Sequence, residues 1–183
     1  MSVTFRDNFA PNVTKNIKKM ESPPKTNKEF ASFIKEHSRI INKVCWVYST
    51  PRVPYEDLRQ EILTNLWLGL EQFRGTSKLS TWVYRVSVNS ALMAIRNYKP
   101  KVETLPFEIS DTDILSEVDD NRTEQLVVLH ELINQLLPIE KAIILLWLDE
   151  YSYEEIADII GIERNNVATK LHRIKNKLIS KSK

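Results

Sequence analysis

EDLRQEILTNLWLGLEQFRGTSKLSTWVYRVSVNSALMAIRNYK, Glu56 to Lys99, is the stretch on which the fold turns. Leu58, Ile62, Leu66 and Leu70 fall on one face of a helix, with Phe73 closing it and Pro54 suited to the first turn. Arg74-Gly75-Thr76-Ser77-Lys78 is a polar loop whose glycine is placed as a helix stop. Ser80 can cap a further helix carrying Trp82, Val83, Val86, Asn89, Leu92 and Ile95, which must end before Pro100. The first of these helices also carries a polar face, Asp57, Gln60, Glu61 and Asn65. Arg74, Lys78, Arg85 and Arg96 are interleaved with Trp82 and Tyr84. Cations beside rings suit unstacked nucleic acid, because bases stack on the rings while the cations hold the backbone. Trp82 equally fits the interior of a helical bundle, the commoner place for such a residue.

Working toward the N-terminus, Thr26 and Glu29 have capping-box spacing, and Phe30, Phe33, Ile34, Ile40, Ile41, Val44, Val47 and Tyr48 follow at helical period up to Pro51. Three helices over residues 26–99 make one domain. Residues 1–25, with four lysines and Pro23-Pro24, read as a flexible extension, with Met20 a second candidate start.

Toward the C-terminus, residues 100–125 lack a hydrophobic period and carry eight acids against Lys101 and Arg122, which predicts an extended acidic linker. Helical pattern returns with Leu126, Leu129, Ile133 and Leu136, breaks at Pro138, and resumes with Ile139, Ile143, Leu146 and Trp147. Ser152 and Glu155 form a second capping box, opening a short helix that Gly161 stops. From Arg164 to Lys183 there are seven basic residues and no acid. SYEEIADIIGIERNNVATKLHRIKNKL therefore has the form of a helix-turn-helix. Ala157 permits close helix approach, while Ile156, Ile160, Ile162, Val167 and Leu171 can pack the pair together. Asn165, Asn166, Thr169, Lys170 and Arg173 would be presented to base edges and phosphates, with Lys175, Lys177 and Lys181 suited to phosphates. The fold class is all-α: two small helical domains, 26–99 and 126–183, joined by the acidic linker.

Composition narrows the function. The single cysteine, Cys45, cannot form an internal disulfide and sits in an apolar run, consistent with a packed thiol in a reducing cytoplasm. No apolar run approaches a membrane span, and the N-terminus is not a secretory signal. No P-loop, HExxH, nucleophile–histidine pair or metal-ligand cluster occurs, so neither an enzyme nor a cofactor is expected.

The order D-L-x-Q-E, F-R-G, S-T-W-x-Y-R-x-x-x-N resembles region 2 of the extracytoplasmic-function sigma factors of bacterial RNA polymerase. L-P-I-E-K-A followed by the helix-turn-helix resembles their region 4. The resemblance implies that Asp57, Leu58, Gln60, Glu61, Asn65 and Trp67 dock on the clamp helices of the polymerase's largest subunit. It implies that Arg74, Gly75, Thr76, Ser77, Lys78 and Leu79, with Trp82, Arg85, Asn89 and Arg96, engage the non-template strand of the −10 element. Arg164, Asn165, Asn166, Thr169, Lys170, Arg173 and Lys177 would read the −35 duplex. The partners implied are core polymerase, including its flap region, and promoter DNA. An anti-sigma factor or a recruiting protein is a further partner class used by relatives. The rival reading is a stand-alone helix-turn-helix regulator, which leaves Glu56 to Lys99 without a role.

Overall fold

The computed structural model describes residues 26–97 and 120–181, with side chains described from 26 to 97 and from 127 to 180. The expected N-terminal extension and most of the expected linker lie outside these residues. Seven helices are described: α1 (Asn27–Tyr48), α2 (Tyr55–Leu70), α3 (Leu79–Asn97), α4 (Asp120–Asn134), α5 (Pro138–Leu148), α6 (Tyr153–Ile160) and α7 (Arg164–Lys181). Among the described residues the sole β feature is an isolated bridge, Thr50 to Val53, which folds Pro51-Arg52 into a tight turn.

Helices α1, α2 and α3 pack on one another. Phe33, Ile41 and Val44 of α1, Leu58, Ile62 and Leu66 of α2, and Val83, Val88 and Ala91 of α3 are fully buried between them. Each large aliphatic or aromatic side chain so buried contributes about 1.5–3 kcal/mol. The capping box of α1 forms as expected: Glu29 N–H donates to Thr26 Oγ1, and Thr26 N–H to the Glu29 carboxylate, both at 3.3 Å. The expected cap at Ser80 does not form. Helix α3 begins one residue earlier, at Leu79, and the Lys78 carbonyl accepts the Trp82 N–H at 3.1 Å. Helix α4 starts at Asp120, inside the stretch read as linker.

Helices α5, α6 and α7 form the second unit around Ile143, Leu146, Ile156, Ile159, Val167, Leu171 and Ile174. Pro138 sits in the first turn of α5, where its missing N–H costs nothing. The Glu140 carboxylate accepts the Leu137 N–H at 2.9 Å.

The two units share one hydrophobic core, with α3 packed on α6 and α1 on α4 and α5, and polar contacts bridge the seam between them as well. Asp149, at the C-terminal end of α5, accepts from Lys43 of α1 and from the Tyr84 hydroxyl of α3. Tyr48 Oη donates to the Pro138 carbonyl at 2.7 Å. Helix α1 has no basic residue in its own last turn. Its terminal carbonyls are served by α5 and α4: Lys141 Nζ donates to Val47 O at 2.9 Å, and His130 Nε2 lies 3.0 Å from Trp46 O. Helix-terminal carbonyls carry partial negative charge and lack intrahelical partners, so a donor there is favoured twice over.

Candidate nucleic-acid interface

In the C-terminal unit the helix-turn-helix forms as its sequence dictates. Ser152 Oγ accepts the Glu155 N–H at 3.2 Å, and the Glu155 carboxylate accepts the Ser152 N–H at 2.9 Å. Gly161 ends α6 with φ +78°, a left-handed conformation that costs a side-chain-bearing residue steric strain. Along α7, Val167, Leu171, Ile174 and Leu178 are buried, so the period forces Arg164, Asn165, Asn166, Thr169 and Arg173 outward; Lys170 is half-buried. The Thr169 hydroxyl donates to the Asn165 carbonyl at 3.0 Å, orienting its lone pairs toward solvent. Arg164 is paired with Glu154 across the turn. Lys177 is committed elsewhere: it donates to the Gln135 carbonyl at 2.8 Å, at the end of α4, and lies 3.7 Å from Glu140. Lys175 lies over the Trp147 ring, 4.8 Å from its centroid.

In the N-terminal unit the α2–α3 loop presents Arg74, Gly75, Thr76 and Lys78 to solvent, with Ser77 and Leu79 half-buried. Gly75 takes φ +70° in open space, so glycine is required there by backbone conformation rather than by crowding. On α3, Asn89 and Arg96 are exposed and share a face with the half-buried Trp82 and Arg85. Arg85 Nε is buried without a hydrogen-bond partner. Trp82 packs on Phe73, ring centroids 5.4 Å apart, and lies against Gly69, where a Cβ would come within 3.0 Å of its ring. Trp82 therefore belongs partly to the core. Gly69 is a residue that the motifs do not flag; a glycine inside a helical period is the one signal that marks it.

The polar face of α2 is exposed at Asp57, Gln60 and Glu61. Leu58 is 1% exposed and fills the core, so it holds the helix in place and is not a contact residue. Asn65 donates to Ser90 Oγ at 2.9 Å, bracing α2 against α3. Trp67 is 39% exposed and edge-on to Phe30, centroids 4.8 Å apart, beside the exposed Leu68.

Two unexpected groups sit in the seam. Lys141 is 5% exposed, and burial lowers its ammonium to about 8; besides Val47 O it donates to Asn134 Oδ1 at 2.6 Å. His130 is likewise lowered, chiefly by burial. Cys45 is fully buried, and burial pushes its thiol to about 12, as suits a packing residue. Among the described residues no cluster of metal-ligating side chains occurs, and no helix is long and apolar enough to cross a membrane.

Comparison with known proteins decides between the readings. Residues 33–100 match the Sigma-70 region 2 family, and residues 126–178 match Sigma-70, region 4. The RNA polymerase sigma factor YlaC of Bacillus subtilis is 33% identical over 131 residues, covering 67% of this chain and 74% of its own. SigW of the same organism, an ECF RNA polymerase sigma factor, is 29% identical over 157 residues, covering 79% of this chain and 83% of its own. The chain belongs to the extracytoplasmic-function sigma factors. It is an alternative sigma factor that directs promoter-specific transcription initiation, and sigma factors as a class are DNA-binding initiation factors. The sigma factor shares its fold with CnrH, solved in complex with the cytosolic domain of CnrY, at a TM-score of 0.60 and 15% identity, covering 85% of this chain and 88% of that one. It shares it also with the sigma factor RpoE of Bartonella quintana, solved with the anti-sigma factor NepR, at a TM-score of 0.58 and 20% identity, covering 82% and 94%.

Proposed function

We propose that this sigma factor binds core polymerase through the exposed face of α2 and reads the two promoter elements with separate units. The polymerase-facing set is Asp57, Gln60, Glu61 and Trp67, with Leu58 and Asn65 supporting it from behind. The α2–α3 loop from Arg74 to Leu79 and the Trp82, Arg85, Asn89 and Arg96 face of α3 take the non-template strand of the −10 element. The exposed N-terminal half of α7, Arg164 to Arg173, enters the major groove of the −35 duplex.

The observation that carries this reading is the pairing, in one chain and in this order, of a region 2 match with an exposed cationic loop and a region 4 match with an exposed polar recognition helix. Side chains on α7 supply donors and acceptors for base edges, while its lysines and arginines neutralise phosphates. Unstacked bases held by α3 offset part of the cost of opening the duplex. Binding energy drives melting in this scheme, and phosphodiester synthesis remains with the polymerase. The chain works in the cytoplasm, where polymerase is, and an anti-sigma factor is the fitting regulator by analogy with the complexes of its structural relatives.

The test maps transcription starts after forced expression, then repeats initiation in vitro with core polymerase and the promoter so found. The expected result is factor-dependent transcripts, lost when Arg74 and Lys78 are both changed to alanine while binding to core polymerase persists. Duplex binding without any association with polymerase would return the protein to the class of stand-alone regulators.

A further inference from the structure

Of the chain's three glycines, two answer to the backbone and one does not. Gly75 and Gly161 hold φ at +70° and +78°, and a Cβ at either would meet open space. Gly69 lies in the last turn of α2 without a positive φ, where alanine is the better helix former. What it accommodates is a ring. A Cβ there would come 3.0 Å from Cζ2 and 3.6 Å from Cη2 of Trp82, closer than close-packed atoms tolerate without displacing the ring.

The same two residues hold both ends of the loop that carries Arg74 and Lys78. Gly69 O accepts the Gln72 N–H at 3.0 Å as α2 gives way to the loop, and Lys78 O accepts the Trp82 N–H at 3.1 Å as α3 begins. Phe73, next to Arg74 in the chain, packs on the Trp82 ring with centroids 5.4 Å apart. The ring therefore ties the start of α3 to the end of α2, and the loop is strung across that tie. Arg85 and Asn89 follow Trp82 along one face of α3, so the ring stands between the two parts of the proposed −10 surface.

We infer that Gly69 is a positioning residue for −10 recognition: by omitting a Cβ it seats the Trp82 ring against α2, and the seated ring sets where the loop from Arg74 to Leu79 stands relative to the Arg85 and Asn89 face of α3. This rests on the proposed assignment of that surface to the non-template strand. An added methyl returns helix stability that glycine gives up, but it pushes the ring by a few tenths of an ångström. Capture of unstacked bases needs rings and cations acting together, and small misplacements of positioned groups are felt steeply. Selectivity for the −10 sequence should therefore fall although the fold survives.

The experiment uses the full chain, core polymerase and the promoter from start-site mapping, beside copies with single base-pair changes in the −10 or −35 element. Discrimination, the ratio of initiation from the intact and the changed promoter, does not depend on how much of the protein is folded, so a merely structural defect leaves it alone. Gly69→Ala should lower −10 discrimination roughly threefold or more, with −35 discrimination and association with core polymerase as in wild type. Phe73→Leu, which loosens the ring by another route, should do the same. With 5-fluorotryptophan incorporated, the Trp82 fluorine resonance, assigned through Trp82→Phe, should move in Gly69→Ala while that of Trp147 stays. Adding Gly69→Ala to Trp82→Phe, whose shorter ring vacates the contact, should lower discrimination no further. Unchanged −10 discrimination in Gly69→Ala, an unmoved Trp82 resonance, or equal losses at −10 and −35 positions overturns the inference, as does a full further loss in the Trp82→Phe background. If wild type yields no factor-dependent transcript, the assignment of function itself fails, and the positioning role with it.

Discussion

Lys141 is a cation enclosed between two helical units, and its depressed ammonium makes stability depend on pH in a defined direction. Burial lowers it from 10.5 to about 8 in the folded protein. Between those values the unfolded chain holds more protons at this site than the native one, so the contribution to stability rises with pH across that window. Below about 8 the ammonium is charged in both states and the desolvation penalty is present in full. Above 8 the neutral amine can still donate to Val47 and Asn134. Cys45 and the buried tyrosines Tyr48 and Tyr84 are shifted upward and act in the opposite direction at high pH, so the difference between wild type and Lys141→Met isolates the lysine. Denaturant unfolding should show wild type gaining on the variant from pH 8 to 10.5; a flat difference would contradict the burial. Glu150 is the second residue with a clear cost, holding φ +63° just past α5 without being glycine. Glu150→Gly should stabilise the protein by about 1 kcal/mol, seen as a higher melting temperature.

At the scale of elements, α6 and α7 carry the most local information. Ser152→Ala removes the acceptor for the Glu155 N–H and should cost about 1 kcal/mol, measured by denaturant unfolding. Substituting both Lys170 and Arg173 by alanine should lower the slope of log affinity against log salt for duplex DNA by about 2, near 0.9 for each phosphate no longer neutralised; an unchanged slope would place the phosphate contacts elsewhere. These elements are legible in the sequence because their signals act within a few residues: a serine, a glutamate three positions later, a glycine stop. The start of α3 is less so. Ser80 has the chemistry of a cap, but the helix begins at Leu79, and Ser80 instead meets Tyr151 from the other unit. Lys177 reads as a phosphate contact from its place in a basic run, yet it is held by the Gln135 carbonyl of a helix far away in sequence. Leu58 stands inside the motif proposed to bind polymerase, and its own period already places it in the core.

At the scale of the molecule, the order of the two units and their likeness to sigma regions 2 and 4 can be read from motif spacing alone. The seam cannot. Lys43 to Asp149, Tyr84 to Asp149 and Lys141 to Val47 each join residues far apart in the chain, and nothing in the local sequence of either partner announces the other. Lys141 reads as the lone base in an acidic stretch, a place that suggests solvent rather than burial. The proposed function requires one chain to couple polymerase binding, through α2, to promoter reading by α3 and α7. That coupling is measured most directly by in vitro initiation from the mapped promoter by core polymerase with wild-type factor, with Asp57 and Glu61 both changed to alanine, and with Lys170 and Arg173 both changed to alanine. Transcripts are expected with wild type, loss of both polymerase association and transcripts for the α2 variant, and loss of transcripts with polymerase association retained for the α7 variant. Undiminished transcription by the α2 variant, or no factor-dependent transcript from wild type, would contradict the coupling.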